Sequence, residues 1–185
     1  MRGPVVLWSC VSEVTVADVN ANAYYNLDAK GRPSQRGGNW EWHASDRDFR
    51  VSLTPQWPTD NEVALVAHMP ASFFRRGVTT EVRIGAIDRQ QSDPTLIDRS
   101  TEAYQHHIRV SRQQLSQLAE SGTTAFVVAA DRSGNVIRSL RLDTAAAAHG
   151  ETAMSLAADR VRAKIRNFRE LCSPLYAGDL DVVIA

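Results

Sequence analysis

Apolar and polar residues alternate at a period of two along much of this chain, the spacing of strands with one face buried. A short apolar run at residues 4–10 predicts one strand. At residues 11–19, Val14 and Val16 alternate with Thr15 and Asp18 and predict a second. Phe49, Val51 and Leu53 interleave with Arg50, Ser52 and Thr54, giving a half-buried strand that Pro55 and Pro58 bring to an end. Residues 62–69 and 79–87 carry two more, the latter with Val82, Ile84 and Ala86 on one side. Between these two, Phe73-Phe-Arg-Arg-Gly77 reads as a turn bearing an aromatic plug. Two stretches lack any such period. Residues 28–48 are rich in Gly, Pro and polar side chains and read as a loop, flexible at Gly37-Gly38. Residues 88–100 contain Asp93-Pro94 and read as a connection.

The period then lengthens. Ile108 and Val110 end a short strand, and Ser111-Arg-Gln-Gln114 has the spacing of a capping box. Leu115, Leu118 and Ala119 supply an apolar stripe, and Gly122 is placed to end the helix. Residues 123–130 and 135–142 pair as a hairpin across Asp131-Arg-Ser-Gly134. Met154, Ala158, Val161, Ile165, Phe168 and Cys172 recur at three- and four-residue steps and predict an amphipathic helix over 152–172, stopped by Pro174. Residues 180–184 read as an edge strand or a tail. Strands precede the long helix and alternate poorly with helices. The expected fold is therefore α+β: a single β-rich domain over 1–185 built on an antiparallel sheet or sandwich of seven or eight strands. One short helix and one long C-terminal amphipathic helix complete it.

Composition narrows the function classes. The 185 residues are 43% hydrophobic and 23% charged, close to the globular average and unlike a disordered or collagen-like chain. The 21 basic and 21 acidic residues cancel, which removes the long-range attraction of a dedicated nucleic-acid binder. No apolar run approaches the 18 residues that a membrane-spanning helix needs. Cys10 and Cys172 form no C-x-x-C pair, so a zinc finger or thioredoxin-type centre is excluded. Two readings of them stand: one disulfide in an oxidising compartment, or two buried thiols in the cytosol. The first eight residues lack the apolar core and cleavage site of an export signal. Either the protein is cytoplasmic, or the chain begins after a removed signal.

Chemistry-bearing residues are sparse. In Asn39-Trp-Glu-Trp-His43, an extended backbone puts Trp40 and Trp42 on one face and Glu41 and His43 on the other. Beside a loop carrying Arg36, the two indoles could stack on a ligand or partner, giving Trp40, Trp42, His43 and Arg36 as candidate binding residues. Alternatively the indoles enter the core. Glu41 and His43, with Asp46 or Asp48 nearby, could serve a small hydrolase-like enzyme as acid and base. Arg162, Arg166 and Arg169, at i, i+4 and i+7, form a candidate anion-binding face on the long helix. His106 and His107 are adjacent and point to opposite faces of a strand, and His68 tips one face of its own. Neither the phosphate-loop patterns nor the G-x-S-x-G elbow is present, and no cofactor or metal ligand set is expected.

Ile108-Arg-Val-Ser-Arg-Gln-Gln-Leu115, Gly122, Phe126-Val-Val and Leu140-Arg-Leu142 resemble the C-terminal half of small bacterial extracytoplasmic proteins. Those are the invasion-associated locus B family and the accessory periplasmic proteins of type VI secretion. Trp8-Ser-Cys10 is similar to the tryptophan-then-cysteine opening of the first family, whose middle cysteines are missing here. The resemblance covers about half the chain through generic motifs. It implies a disulfide-tied periplasmic or secreted domain, non-enzymatic, binding a protein partner or small ligand in the cell envelope. The loop at residues 30–42 would then be part of its contact surface.

Overall fold

A computed structural model describes residues 5–55, 61–70, 72–73, 76–84, 88–90, 95–96 and 104–176. The fold is α+β with antiparallel sheets, as the periodicity predicts. Twelve strands are described: β1 (Val5–Val16), β2 (Val19–Asp28), β3 (Pro33–Asp46), β4 (Phe49–Pro55), β5 (Glu62–Met69) and β6 (Thr79–Ile84) come first. Then follow β7 (Asp88–Gln90), β8 (Thr95–Leu96), β9 (Tyr104–Ser111), β10 (Ala125–Ala130), β11 (Val136–Leu142) and β12 (Ser173–Tyr176). The helices are α1 (Arg112–Glu120), α2 (Ala146–Ile165) and the single turn α3 (Phe168–Leu171). The chain divides into two compact units, one of residues 1–40 and 150–185, the other of residues 41–149.

In the first unit the strands run in the order β12-β1-β2-β3. The two strands expected over 4–19 are instead one long β1 and the start of β2, joined by a two-residue turn in which Ala17 takes a positive φ of 46°. The expected loop at 28–48 is a second correction: its residues 33–46 are β3. Residues 33–39 carry no apolar alternation because nearly all of them are exposed, and alternation begins only at Trp40 and Trp42. A Cβ on Gly37 would lie 2.4 Å from the Tyr24 hydroxyl oxygen, and one on Gly38 would lie 2.5 Å from the Asn22 carbonyl oxygen. Gly38 lets β3 lie close on the backbone of β2, and Gly37 leaves room for the Tyr24 ring.

The long helix is also displaced from its prediction. It begins at Ala146 and ends at Ile165, and the short α3 follows from Phe168. Its buried stripe is Ala153, Ala157 and Val161 with Gly150, one residue away from the expected Met154 and Ala158. The small residues are selected because a large ring lies against them: a Cβ on Gly150 would come within 2.2 Å of the Trp40 indole. Cys172 follows α3 and does not lie on the stripe of α2. The pairing of Ser9 with Ser173 sets Cys10 beside Cys172, and the two are joined as a disulfide with their Cα atoms 4.5 Å apart. Cys10 is fully buried. Pro174 sits within β12, opposite Trp8, where an edge strand tolerates a missing N–H.

In the second unit one sheet runs from residues 42–46 of β3 through β4, β5 and β9 to β8, and another runs β11-β10-β6-β7. Their facing sides hold Phe49, Val51, Leu53, Val63 and Leu65 from one sheet and Val82, Val127 and Leu142 from the other. The buried Thr80 hydroxyl donates to the Met69 sulfur at 3.6 Å, linking the layers. Strands β4 and β5 match their predictions, and the connection expected at 88–100 instead contributes β7 and β8. The capping box is formed as predicted: the Gln114 N–H donates to Ser111 Oγ, and the Ser111 N–H donates to Gln114 Oε1. Leu115 is buried, Leu118 half-buried and Ala119 exposed, so the stripe of α1 is narrower than expected. Gly122 and Gly134 take positive φ of 64° and 80°, ending α1 and closing the β10–β11 hairpin. The predicted tail element at 180–184 lies outside the described residues.

Candidate functional site

Alternation along β3, β4 and β5 sorts the side chains of the second unit onto two faces. Trp42 and Ala44 go inward with Leu53, Val51, Leu65 and Ala67. Glu41, His43 and Ser45 therefore go outward. The register sets His43 opposite Ser52 and Ser45 opposite Arg50, and Arg50 in turn opposite His68. The turn after β3 adds Arg47, whose φ is 55°, and Asp48. Together these residues, with Ala44, Val51, Met69 and Pro70, line a concavity of about 810 Å³.

The charges are arranged in pairs with cations to spare. Glu41 Oε2 stands 3.4 Å from His43 Nε2, with both side chains about half exposed. Asp48 Oδ1 is 3.6 Å from Arg138 Nε on β11, and Arg138 itself lies over the Phe73 ring, 5.5 Å from its centroid. Asp48 is thus turned towards Arg138, and Asp46 sits opposite Phe49 in the turn, outside the lining. Among the described residues no three His, Cys, Asp or Glu side chains are placed to hold a metal ion.

The sites expected from sequence fare differently. Trp40 and Trp42 are 3% and 4% exposed, so neither indole offers a stacking surface, and they are removed from the binding set. Arg36 is exposed on β3 but does not line the concavity, whereas His43 does. The basic face of the long helix is not assembled. α2 ends at Ile165, so Arg166 falls in the break and Arg169 belongs to α3, where it stacks 5.6 Å from the Phe168 ring centroid. Arg162 bonds to the Asp159 carboxylate, which together with the Tyr25 hydroxyl holds its pKa above the ordinary value. His106 and His107 lie on β9, which the register carries past β5.

Arg50, Ser52 and His68 stand on the polar side of two alternating strands, and Arg47 falls within the segment 28–48 that reads as a loop. Their convergence needed the pairing of β3 with β4 and β5, and a loop reading of β3 hides it. Comparison of the chain with family models, characterised proteins and solved structures gives no match, so the site is read from its own geometry.

Proposed function

We propose that this chain is a non-enzymatic extracytoplasmic binding domain that holds a small polar ligand in the concavity on β3, β4 and β5. The observation that carries this reading is the convergence of His43, Ser45, Arg50, Ser52 and His68 on one sheet face. The reverse of the same strands is packed as core, so the donors stand on a stiff platform, the arrangement that favours preorganised binding. Export is supported by the Cys10–Cys172 disulfide, which belongs to an oxidising compartment. No described helix is long and apolar enough to cross a membrane.

A hydrolase centred on Glu41 and His43 is less well supported. General acid–base catalysis draws on burial or a second close carboxylate to tune its groups. Here the pair is half exposed, and Asp48 is turned to Arg138.

The test is amide-resolved NMR of the oxidised protein against a panel of sugars, amino acids and dicarboxylates. At least one compound is expected to shift the amides of residues 43–52 and 66–69 saturably, with the effect weakened in Arg50→Ala. Shifts confined to other surfaces, or none from any compound, would overturn the proposal.

A further inference from the structure

Building on that reading, we infer that the ligand is a small anion, of the carboxylate, sulfate or phosphate class, and that protonation of His43 and His68 tightens its binding. Arg47 and Arg50 line the concavity together with two carboxylates, Glu41 and Asp48. Asp48 is turned to Arg138, so counting all five groups leaves one net positive charge when both imidazoles are neutral. Imidazole is the side chain whose charge changes between pH 5 and 8. Protonation of His68, and of His43 beside Glu41, therefore takes the site from one net positive charge to three.

The geometry suits one small anion better than a long one. Arg50 is the central member: it stands opposite Ser45 on β3 and opposite His68 on β5, so a guanidinium, a hydroxyl and an imidazole share one cross-strand row. His43 and Ser52 form the neighbouring row. An anion between the rows can accept from Arg50, Ser45 or Ser52 and from the single N–H of a neutral imidazole, and protonation adds a second N–H and a full positive charge to each ring. Among the described residues, the other charged side chains lining the concavity are the Glu41, Arg47 and Asp48 already counted, with Arg138 beside Asp48. On the far side of β5, the register sets Gln105 opposite His68 and His107 opposite Val66. Neutral ligands gain nothing from the change in charge, so pH separates the classes.

Inorganic sulfate is the probe, because its charge is constant between pH 5.5 and 7.5. Titrating it into the ¹⁵N-labelled, oxidised protein is expected to shift the amides of residues 43–52 and 66–69 at both pH values. One exposed unit charge about 4 Å from an anion in water changes affinity about fivefold, so two imidazoles give a gain of about tenfold or more at pH 5.5. Arg50→Gln is expected to weaken binding about fivefold at either pH, and His68→Gln to remove about half of the pH-dependent gain. Both side chains lie on the outward face, and an unchanged amide spectrum confirms that each variant is folded. Sulfate binding that is equally tight at both pH values would overturn the histidine contribution. Shifts scattered over arginines everywhere would overturn a defined anion site. No sulfate shifts, together with a neutral compound that moves the same amides, would overturn the anion class and leave the binding site standing. No shift there from any compound overturns both.

Discussion

The two units obtain their interiors in different ways. The second unit packs aliphatic side chains from paired strands: Val51, Leu53, Val63, Leu65 and Val127 are each at most 1% exposed. The first unit adds to buried Val19, Leu27 and Val161 a set of rings laid against glycines. Trp40 lies on Gly150, Phe168 on Gly31 and the Tyr24 ring on Gly37. Trp8 meets Phe168 edge-on, with ring centroids 5.3 Å apart, and the disulfide closes the group. An aliphatic layer spreads its energy over many small contacts, so that one substitution is felt locally. Rings against glycines concentrate it in a few close approaches, where a single added methyl has nowhere to go.

Breaking the disulfide is the largest expected effect. Cys10 and Cys172 are 162 residues apart, and closing a loop of that length stabilises by about 5 kcal/mol in the chain-entropy model. Replacing both with Ser is expected to lower the unfolding free energy by about that amount in a denaturant titration. Hydrogen exchange then sharpens the comparison: amides of β1, β2 and β12 are expected to lose protection before those of β4, β5 and β10. Equal loss throughout would mean that the units unfold as one, and that their different packing has no separate consequence.

Trp40 and Gly150 test the close approach itself. Trp40→Ala empties a buried site and is expected to cost about 3–5 kcal/mol. Gly150→Ala would ordinarily stabilise a helix interior by about 0.5–1 kcal/mol. Here the added Cβ meets the indole, so a loss of about 1–3 kcal/mol is expected instead. Introduced into Trp40→Ala, the same change should become neutral or favourable, a reversal that calorimetric melting of the four proteins would show. In the second unit, Leu65→Ala has no such partner, and its cost of about 2–5 kcal/mol should stand whatever residue occupies position 150.

The same contrast decides what could be read from sequence. Alternation located β4, β5 and the β10–β11 hairpin, and cap chemistry located α1, because in the second unit apolar residues themselves mark the inside. In the first unit the inward positions of β3 include glycine, and those of α2 are alanine and glycine apart from Val161, so they carry little hydrophobic signal. One signal was nevertheless present. Asp28-Ala-Lys-Gly31-Arg32 and Asp131-Arg-Ser-Gly134-Asn135 are the same turn, one in each unit. In both, Asp Oδ1 accepts the N–H groups two and four residues on, and glycine takes a φ near 80°. The second turn is legible as a hairpin because Val136 and Ile137 follow it, whereas polar residues follow the first. At the candidate site, His43 was visible locally, but Arg50 and His68 join it only through strand register.

Those turns differ in one partner, which sets up a pH comparison. Hydrogen bonds from Arg32, backbone and side chain, hold the Asp28 carboxyl below its ordinary pKa. At Asp131 the Asn135 side chain and then its backbone do the same. A lowered folded pKa means that the stabilisation is present above the unfolded value of about 3.9 and is lost as pH falls through the folded one. Asp28→Asn and Asp131→Asn, which keep one acceptor oxygen and lose the charge, are each expected to flatten the acid limb of the stability curve. Because Arg32 is charged and Asn135 is not, 0.5 M salt should shrink the effect at position 28 more than at 131. Equal salt sensitivity would show that the guanidinium adds nothing beyond its hydrogen bond.

The smallest expected effects come from two hairpin turns that place a non-glycine residue at positive φ, Ala17 at 46° in the first unit and Arg47 at 55° in the second. The left-handed region costs such residues about 1–2 kcal/mol, and glycine returns part of that gain through its freer unfolded chain. A net gain of about 0.5–1 kcal/mol is expected for Ala17→Gly and for Arg47→Gly alike, read from denaturant midpoints. Their consequences should then part. Ala17 is remote from the concavity in sequence and carries no donor, so sulfate binding in Ala17→Gly should equal that of the parent protein. Arg47 lines the concavity, and Arg47→Gly should weaken sulfate binding severalfold while it stabilises the fold. A strained residue retained at a functional site against an easy gain in stability is the pattern that function imposes. Unchanged binding in Arg47→Gly would make the strain at 47 as incidental as that at 17, and would leave Arg50 as the guanidinium that the site uses.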